Sequence, residues 1–492
     1  MIPVRFKLLI DSYRKILHYF GSMMLVMCGL LLTPLIYLIF DQSERHDAGA
    51  FLFPALLALL LYIVFDKLIG KHGSNAMTYE EAAVSISFTW IVMCALSAIP
   101  FMQLNRLSFS HAYFEAMSGY TTTGLSLIDF NICTKMLFLW RSIMQYAGGA
   151  GIAIFLISLA NGFTGAGLTQ AEGKADLLVP QIRHSARIVM VIYTAYAVVG
   201  ILAYKIVGLG WFDSVIHTFA ALSTGGFSTH IESIAWYKSV PIEAVSIVLM
   251  IVGNLNFLNA YILFGGKIKE FLRNGEVKVQ MILLPLATIS LMLLLTVKLY
   301  GSVSQGFRIA LFETVSALTT TGFTSTVYTH WSEFGLLILT LLMLIGGGTN
   351  STAGGIKQYR LYFMYKSFVQ ILKEMTSPAG RIVRLSYWWG DKKLFISNGI
   401  IQFLFLFLTA YFGVYIFGVC ITSAYGYSVR DAAFEFASSL SNSGLSVGIT
   451  SVKMPLPVIW TETIGMFLGR LEILIIFVAI AKIFRDGKRL II

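Results

Sequence analysis

The sequence predicts an all-α polytopic membrane protein of about ten transmembrane helices. Eight of them belong to four pseudo-repeated helix–pore-loop–helix units, and two extra helices precede these at the N-terminus. Three observations predict this class. The 492 residues are 57% hydrophobic and only 12% charged, with a mean hydropathy of +0.76. Apolar runs recur at the length of about 20 residues that a helix needs to cross a bilayer. Between those runs a hydroxyl-rich, glycine-bearing motif returns four times, although polar turns are costly at membrane depth unless they line a cavity.

The clearest copy runs from Phe114-Glu115 to Thr121-Thr122-Thr123-Gly124-Leu125-Ser126. The third keeps its register, from Phe312-Glu313 to Thr319-Thr320-Thr321-Gly322-Phe323-Thr324. The fourth, from Phe434-Glu435 to Ser441-Asn442-Ser443-Gly444-Leu445-Ser446, replaces the threonines. The second is most degenerate, with His217 in place of the glutamate and then Ser223-Thr224-Gly225-Gly226-Phe227-Ser228. The motif glycines are 102, 96 and 122 residues apart, periods that suit a domain-sized unit rather than a solenoid repeat.

Taken in order, residues 1–16 are basic and carry no small-residue cleavage site behind a short apolar core, so no removable signal peptide is expected. Spans are expected at 17–40 and 50–66, completing an N-terminal extension of 1–81. Four units follow, at 82–160, 161–264, 265–372 and 373–492. Each has a spanning helix, a short helix near Ser108, Trp211, Gln305 or Ser428, the polar motif, and a second spanning helix. The second helices are expected near 136–160, 240–264, 334–372 and 457–482. A helix too short to span that leads straight into a polar turn is the order of a re-entrant loop.

The formal charge of +11 reads as topology rather than nucleic-acid binding. Links on the side shared by both termini hold 25 Lys and Arg residues, and links on the motif side hold 8. Arg141, Lys205 and Arg470 fall within or at the ends of helices. By the positive-inside rule both termini are cytoplasmic and the motifs face outward. Cys28, Cys94, Cys133 and Cys420 are scattered, without metal-site or disulfide spacing.

Backbone carbonyls of a re-entrant loop can replace the hydration shell of an alkali cation. Glycine permits the backbone conformations this needs, and the carbonyl end of a short helix adds negative potential. The loops contain no acid, which favours a monovalent cation that leaves again quickly. The stretch Gly346-Gly347-Gly348-Thr349-Asn350-Ser351-Thr352-Ala353-Gly354-Gly355-Ile356-Lys357 cannot form a comfortable membrane helix, lacks the ending of a phosphate-binding loop, and reads as a gate. Recurrent glycines about 25 residues beyond each motif suit close helix packing. Arg470, deep in the last span, is read as an electrostatic barrier or gate contact, with structural pairing as the alternative. Glu115, Glu313 and Glu435 are expected to anchor loop backbone rather than bind ions. Glu472 is a candidate for ion coupling.

With TTTG at 121–124, STGG at 223–226, TTTG at 319–322, SNSG at 441–444, the loop 346–357 and GRLE at 469–472, the chain closely resembles the Trk/Ktr/HKT superfamily of potassium transporters. The likeness runs from about residue 82 to the end. The two N-terminal helices look like the Trk branch, that of the TrkH/TrkG membrane subunits. The resemblance implies four units around one central pseudo-fourfold pore in a bacterial inner membrane, with potassium as the transported ion and no organic cofactor. It also implies a homodimer and a cytosolic nucleotide-binding regulatory subunit. Ligand oxygens would come from Thr122, Thr123, Thr224, Gly225, Thr320, Thr321, Asn442 and Ser443, completed by Gly124, Gly226, Gly322 and Gly444. Gly346, Gly347, Gly348, Thr349, Gly354, Gly355 and Lys357 would form the gating loop, and Arg470 would be the pore arginine. Glycine at 124, where the family's sodium-preferring plant members have serine, favours potassium. Proton- or sodium-coupled symport stays open. An intramembrane hydrolase lacks paired catalytic groups here, and an assembly subunit would not need four polar loops in register.

Overall fold

The protein, described from a computed structural model, is seen over residues 4–68, 77–160, 182–378, 386–389, 392–395 and 398–491. Most of the expected link 161–187, and parts of the links at 67–81 and 373–393, lie outside the described residues. Helices α1 (Val4–Leu32) and α2 (Ala48–Tyr62) form the N-terminal pair. The first unit follows as α3 (Tyr79–Leu104), the short α4 (Phe109–Tyr120) and α5 (Lys135–Ala160). The second has α6 (Ile182–Ile206), the short α7 (Trp211–Leu222), α8 (Val240–Asn254) and α9 (Phe257–Phe264). In the third, α10 (Gly275–Leu291) continues with a change of pitch to Tyr300, then come the short α11 (Val303–Leu318), α12 (Glu333–Ile345) and α13 (Gln358–Met375). The fourth has α14 (Asn398–Ala424), the short α15 (Val429–Ser441), α16 (Leu456–Arg470) and α17 (Ile473–Ile491).

Among the described residues, six helices are long and apolar enough to span a membrane, or eight when each of two bent pairs counts as one span. Large side chains such as Phe53, Leu56, Phe405, Leu406 and Phe417 are exposed on their outer faces, the surface lipid would cover. Two further expected spans correspond to α5 and to the interrupted pair α12/α13, of which α12, at 13 residues, is too short to cross alone. One departure from an all-helical chain is an antiparallel pair of four-residue strands, β1 (Ser386–Trp389) and β2 (Lys392–Phe395).

Two second helices expected as single spans are broken instead. Helices α8 and α9 meet at 110°, and α16 and α17 at 101°. Each break has a local cause. Asn256 caps the start of α9 by accepting from the Leu258 amide at 2.8 Å. Glu472 takes a left-handed φ of 60° between α16 and α17, a conformation that does not continue a helix.

In units one, two and four a glycine marks where the second helix crosses the carbonyl end of its short helix. A β-carbon on Gly148 would lie 2.0 Å from Tyr120 O, on Gly253 2.6 Å from Leu222 O, and on Gly469 2.0 Å from Leu440 O. In the third unit the corresponding stretch is the loop 346–357. Small residues there let two backbones touch, which substitutes for a hydrophobic driving force within lipid. Gly253→Val should therefore lower the apparent melting temperature in detergent by forcing overpacking worth about 1–3 kcal/mol. Gly413→Val, which adds a side chain to open space, should leave it unchanged; equal falls in both would refute the crossing role.

Candidate functional site

All four short helices end identically. The amides of Thr123, Gly225, Thr321 and Ser443 bond back five residues, to Ser118 O, Ala220 O, Ser316 O and Ser438 O, at 2.8–2.9 Å. This Schellman closure needs one left-handed residue, most often glycine. Here Thr122, Thr224, Thr320 and Asn442 take it, with φ of 55°, 52°, 51° and 57°. Threonine is a poor choice for that region, at a cost of order 1–3 kcal/mol each, whereas asparagine is well suited. The replacement of threonine at 442 is thus conformationally conservative. Two residues on, Gly124, Gly226, Gly322 and Gly444 again have positive φ, of 95°, 71°, 83° and 86°. Alternating the sign of φ keeps successive carbonyls on one side, where an ordinary strand alternates them.

The four loops close into a ring. A β-carbon on Gly124 would strike Gly225 O at 2.2 Å, on Gly226 Thr321 O at 2.1 Å, on Gly322 Ser443 O at 2.2 Å, and on Gly444 Thr123 O at 2.0 Å. Each motif glycine therefore lies against the carbonyl preceding the next motif glycine, in the cyclic order one, two, three, four, one. The same four glycines floor a vestibule of about 700 Å³, walled by the segments after each motif. All twelve expected ligand residues belong to this ring.

The segment 346–357 lies beneath it. Its neck is tied by Gly347 N to Gly354 O at 3.2 Å, Ile356 N to Leu344 O at 2.9 Å and Gln358 N to Gly347 O at 2.8 Å. Gly346 and Gly355 pack backbone to backbone there, a β-carbon on Gly346 meeting Gly354 O at 2.2 Å. The Gly354 amide donates to the Thr320 hydroxyl at 2.7 Å, and the Thr224 hydroxyl is 3.2 Å from that of Thr352. The loop thus touches the ring residues of units two and three directly. Its far side is held by Asn254 Oδ1, accepting from Gly348 N at 3.1 Å, and by Glu276 Oε1, accepting from Thr349 N at 2.8 Å. Lys357, half-buried, donates to Ala353 O. Arg470 is buried and donates to Thr352 O at 2.6 Å and Gly148 O at 2.5 Å. It binds backbone carbonyls of the loop and of α5, not a carboxylate. Glu472 pairs with Arg360 at 2.8 Å, so it is no free coupling acid. A small cavity lined by Gly354, Lys357, Asn442 and Arg470 separates the loop from α14 and α16.

The family profile described as TrkH, cation transport protein, matches residues 58–489. The chain belongs to this family. It is 27% identical to an uncharacterised cation transporter of Methanocaldococcus jannaschii over 97% of both chains. It is also 27% identical to the Trk system potassium uptake protein TrkH of Escherichia coli, over 96% of this chain and 99% of that one. The crystal structure of the potassium transporter TrkH from Vibrio parahaemolyticus has the same fold, with a TM-score of 0.83 over 95% of this chain and 98% of that chain, at 23% identity.

In this TrkH-family chain the glutamates on the short helices anchor the segments that follow the ring, as expected. Glu115 accepts from Leu127 N at 2.8 Å and Ser126 Oγ at 3.0 Å. Glu313 accepts from Ser325 N at 2.7 Å and Tyr328 Oη at 2.5 Å. Glu435 accepts from Val447 N at 3.0 Å and Thr450 N at 2.9 Å. His217, the odd residue of unit two, does comparable work, its Nε2 lying 3.0 Å from Ser228 Oγ. Sequence reasoning missed Arg141, whose Nε is 2.9 Å from Glu115 and whose Nη1 donates to Ser228 O at 3.0 Å, joining units one and two. It also missed Gln145, which donates to Gly225 O and accepts from Phe227 N at 3.2 Å. One carbonyl of the ring is therefore engaged by a side-chain amide. Polar residues within an apolar helix were the available signal for both.

Arg141→Ala would leave Glu115 buried and without its cation, a loss of about 3–5 kcal/mol. A sharp fall in folded yield and melting temperature is expected, with incomplete recovery in Arg141→Lys, which cannot reproduce the forked contacts. Wild-type stability of the alanine variant would contradict the pairing.

Proposed function

We propose that the protein takes up potassium across the bacterial cytoplasmic membrane through a pore whose selective ring is formed by the four motifs. The cyclic closure of the motif glycines on neighbouring carbonyls carries this reading. In this reading neutral oxygens of Thr122, Thr123, Thr224, Gly225, Thr320, Thr321, Asn442 and Ser443 face one opening, without a carboxylate, as a dehydrated monovalent cation requires. The relatives named as potassium uptake proteins support the choice of ion. In this reading 82–160, 161–264, 265–372 and 373–492 are the four quarters of the pore, 1–81 is a peripheral extension, and both termini are cytoplasmic. Asymmetry at Gln145 and Asn442 makes the four quarters unequal ligands.

The loop 346–357 is the gate. It occludes the path below the ring and is held shut by Arg470 and Thr320, with the buried guanidinium adding an electrostatic barrier to a cation. A second copy of the chain and a cytosolic nucleotide-binding subunit, which would act on this loop from the cytoplasmic side, complete the reading on the family resemblance. Flux with and without an imposed proton gradient separates a passive pore from coupled symport.

Two outcomes test the reading in proteoliposomes. Gly124→Ser places a side chain against Gly225 O at positive φ, a strain of order 1–3 kcal/mol, and should lower potassium preference over sodium about tenfold. Unchanged preference would remove Gly124 from the ring's function. Deleting Thr349–Thr352 removes the Arg470 contact to the loop, worth on the order of 1 kcal/mol or more, and should raise rubidium flux roughly fivefold. Unaltered flux in folded protein would refute the gate.

A further inference from the structure

Unit four carries a buried carboxyl pair. Both Glu435, on α15, and Glu462, on α16, are fully buried. They meet at one side chain, the Thr450 hydroxyl, which is 2.5 Å from Glu435 Oε1 and 3.3 Å from Glu462 Oε2. The corresponding short-helix acid of unit one faces a cation, Arg141. Neither Glu435 nor Glu462 has an ion-pair partner among the described residues. The ionisable groups on the surrounding elements are no substitute. Tyr427, before α15, lies near both glutamates. On α4, Tyr113 stacks on Trp460 and His111 bonds to Val452 O. Tyr415 of α14 donates to Ala433 O, and α17 is aliphatic from Ile473 to Ile476. Arg430, at the far end of α15, is engaged with Glu333 and Asp431.

Counting hydrogens decides which carboxyl is charged. Glu435 accepts from Ser446 Oγ, Thr450 N and Thr450 Oγ1 on one oxygen and from Val447 N on the other. Four donors match an ionised acceptor. The single hydrogen of the Thr450 hydroxyl is spent on Glu435, so its contact with Glu462 has none left. The other oxygen of Glu462 has no hydrogen-bond partner among the described residues. Two like charges cannot both persist in such a site.

We propose that Glu462 is a proton-binding site: its carboxyl holds a proton taken from the vestibule and donates it to Thr450 Oγ1, which in turn donates to the Glu435 carboxylate. Thr450, Ser446 and Val447 wall the vestibule, so bulk water lies one hydroxyl away. Losing the proton at alkaline external pH sets two carboxylates against Thr450 and loosens 446–450, the segment that Glu435 ties behind Gly444. Glu462 is thereby a positioning residue for the fourth quarter of the ring, a role that rests on the transport reading above, whereas the proton itself does not.

The test uses full-length protein in proteoliposomes. The infrared difference spectrum, wild type minus Glu462→Gln, is expected to show a protonated-carboxyl C=O band at neutral pH that decays as pH rises. Wild-type rubidium flux should fall over the same interval, while Glu462→Gln, permanently neutral and nearly isosteric, should hold its flux there. Glu462→Leu should behave likewise and guards against a folding defect particular to glutamine. Absence of the band overturns the proposal, and so does an alkaline fall in both neutral variants equal to that of the wild type. A band without rubidium flux in any protein would support the proton site and count against the transport reading alone.

Discussion

The close approach of each motif glycine to the carbonyl of the next loop is the constraint on which the rest of the structure depends. At separations where a β-carbon would stand 2.0–2.2 Å from an oxygen, any other residue type forces the neighbouring loop to shift. The four loops must therefore be delivered in register to within a fraction of an ångström. Much of the surrounding chemistry does that delivering. The identical helix closures fix the start of each loop, the short-helix acids and His217 hold the segment after it, and Gly148, Gly253 and Gly469 bring each second helix into backbone contact behind. The left-handed threonines store strain that this scaffold over-determines.

The fold was largely legible in the sequence because bilayer thickness sets one length scale and a polar motif within apolar runs is conspicuous. Every ring residue was identified that way, and the anchoring role of Glu115, Glu313 and Glu435 followed from residue type and position. The helix breaks at Asn254–Asn256 and Leu471–Glu472 were not legible. Hydropathy integrates over about twenty residues and passes smoothly across a two- or three-residue change of direction. Long-range partners were equally hidden. That Glu472 faces Arg360 rather than Arg470, that Gln145 reaches Gly225, and that Glu462 shares a hydroxyl with Glu435 all depend on which helices become neighbours. No periodicity encodes that.

Below the ring the units diverge. Unit one continues as the single helix α5, unit two turns on a pair of asparagines, unit three opens into a glycine-rich loop, and unit four breaks beside a buried arginine. These four endings meet, since the loop of unit three is held by Asn254, by Glu276, by the Thr224 and Thr320 hydroxyls of the ring itself and by Arg470, which also donates to Gly148 O of α5. Movement of that loop therefore cannot be independent of the loops above it, and its hydrogen bonds link the position of the loop to the conformation of the ring.

Because the four quarters lie in one polypeptide, each is encoded once and varies alone. In a ring of four identical subunits a change such as threonine to asparagine would be made four times together. Here Asn442 alters one side only, and its amide spans to Thr123 at 3.0 Å and Met466 O at 2.9 Å. Selection can then adjust such a ring in single steps of one loop in four, with three unaltered quarters preserving the closure while the fourth is tried. The histidine of unit two, the Gln145 bond and the carboxyl pair of unit four are all changes that strict symmetry would have forbidden or multiplied.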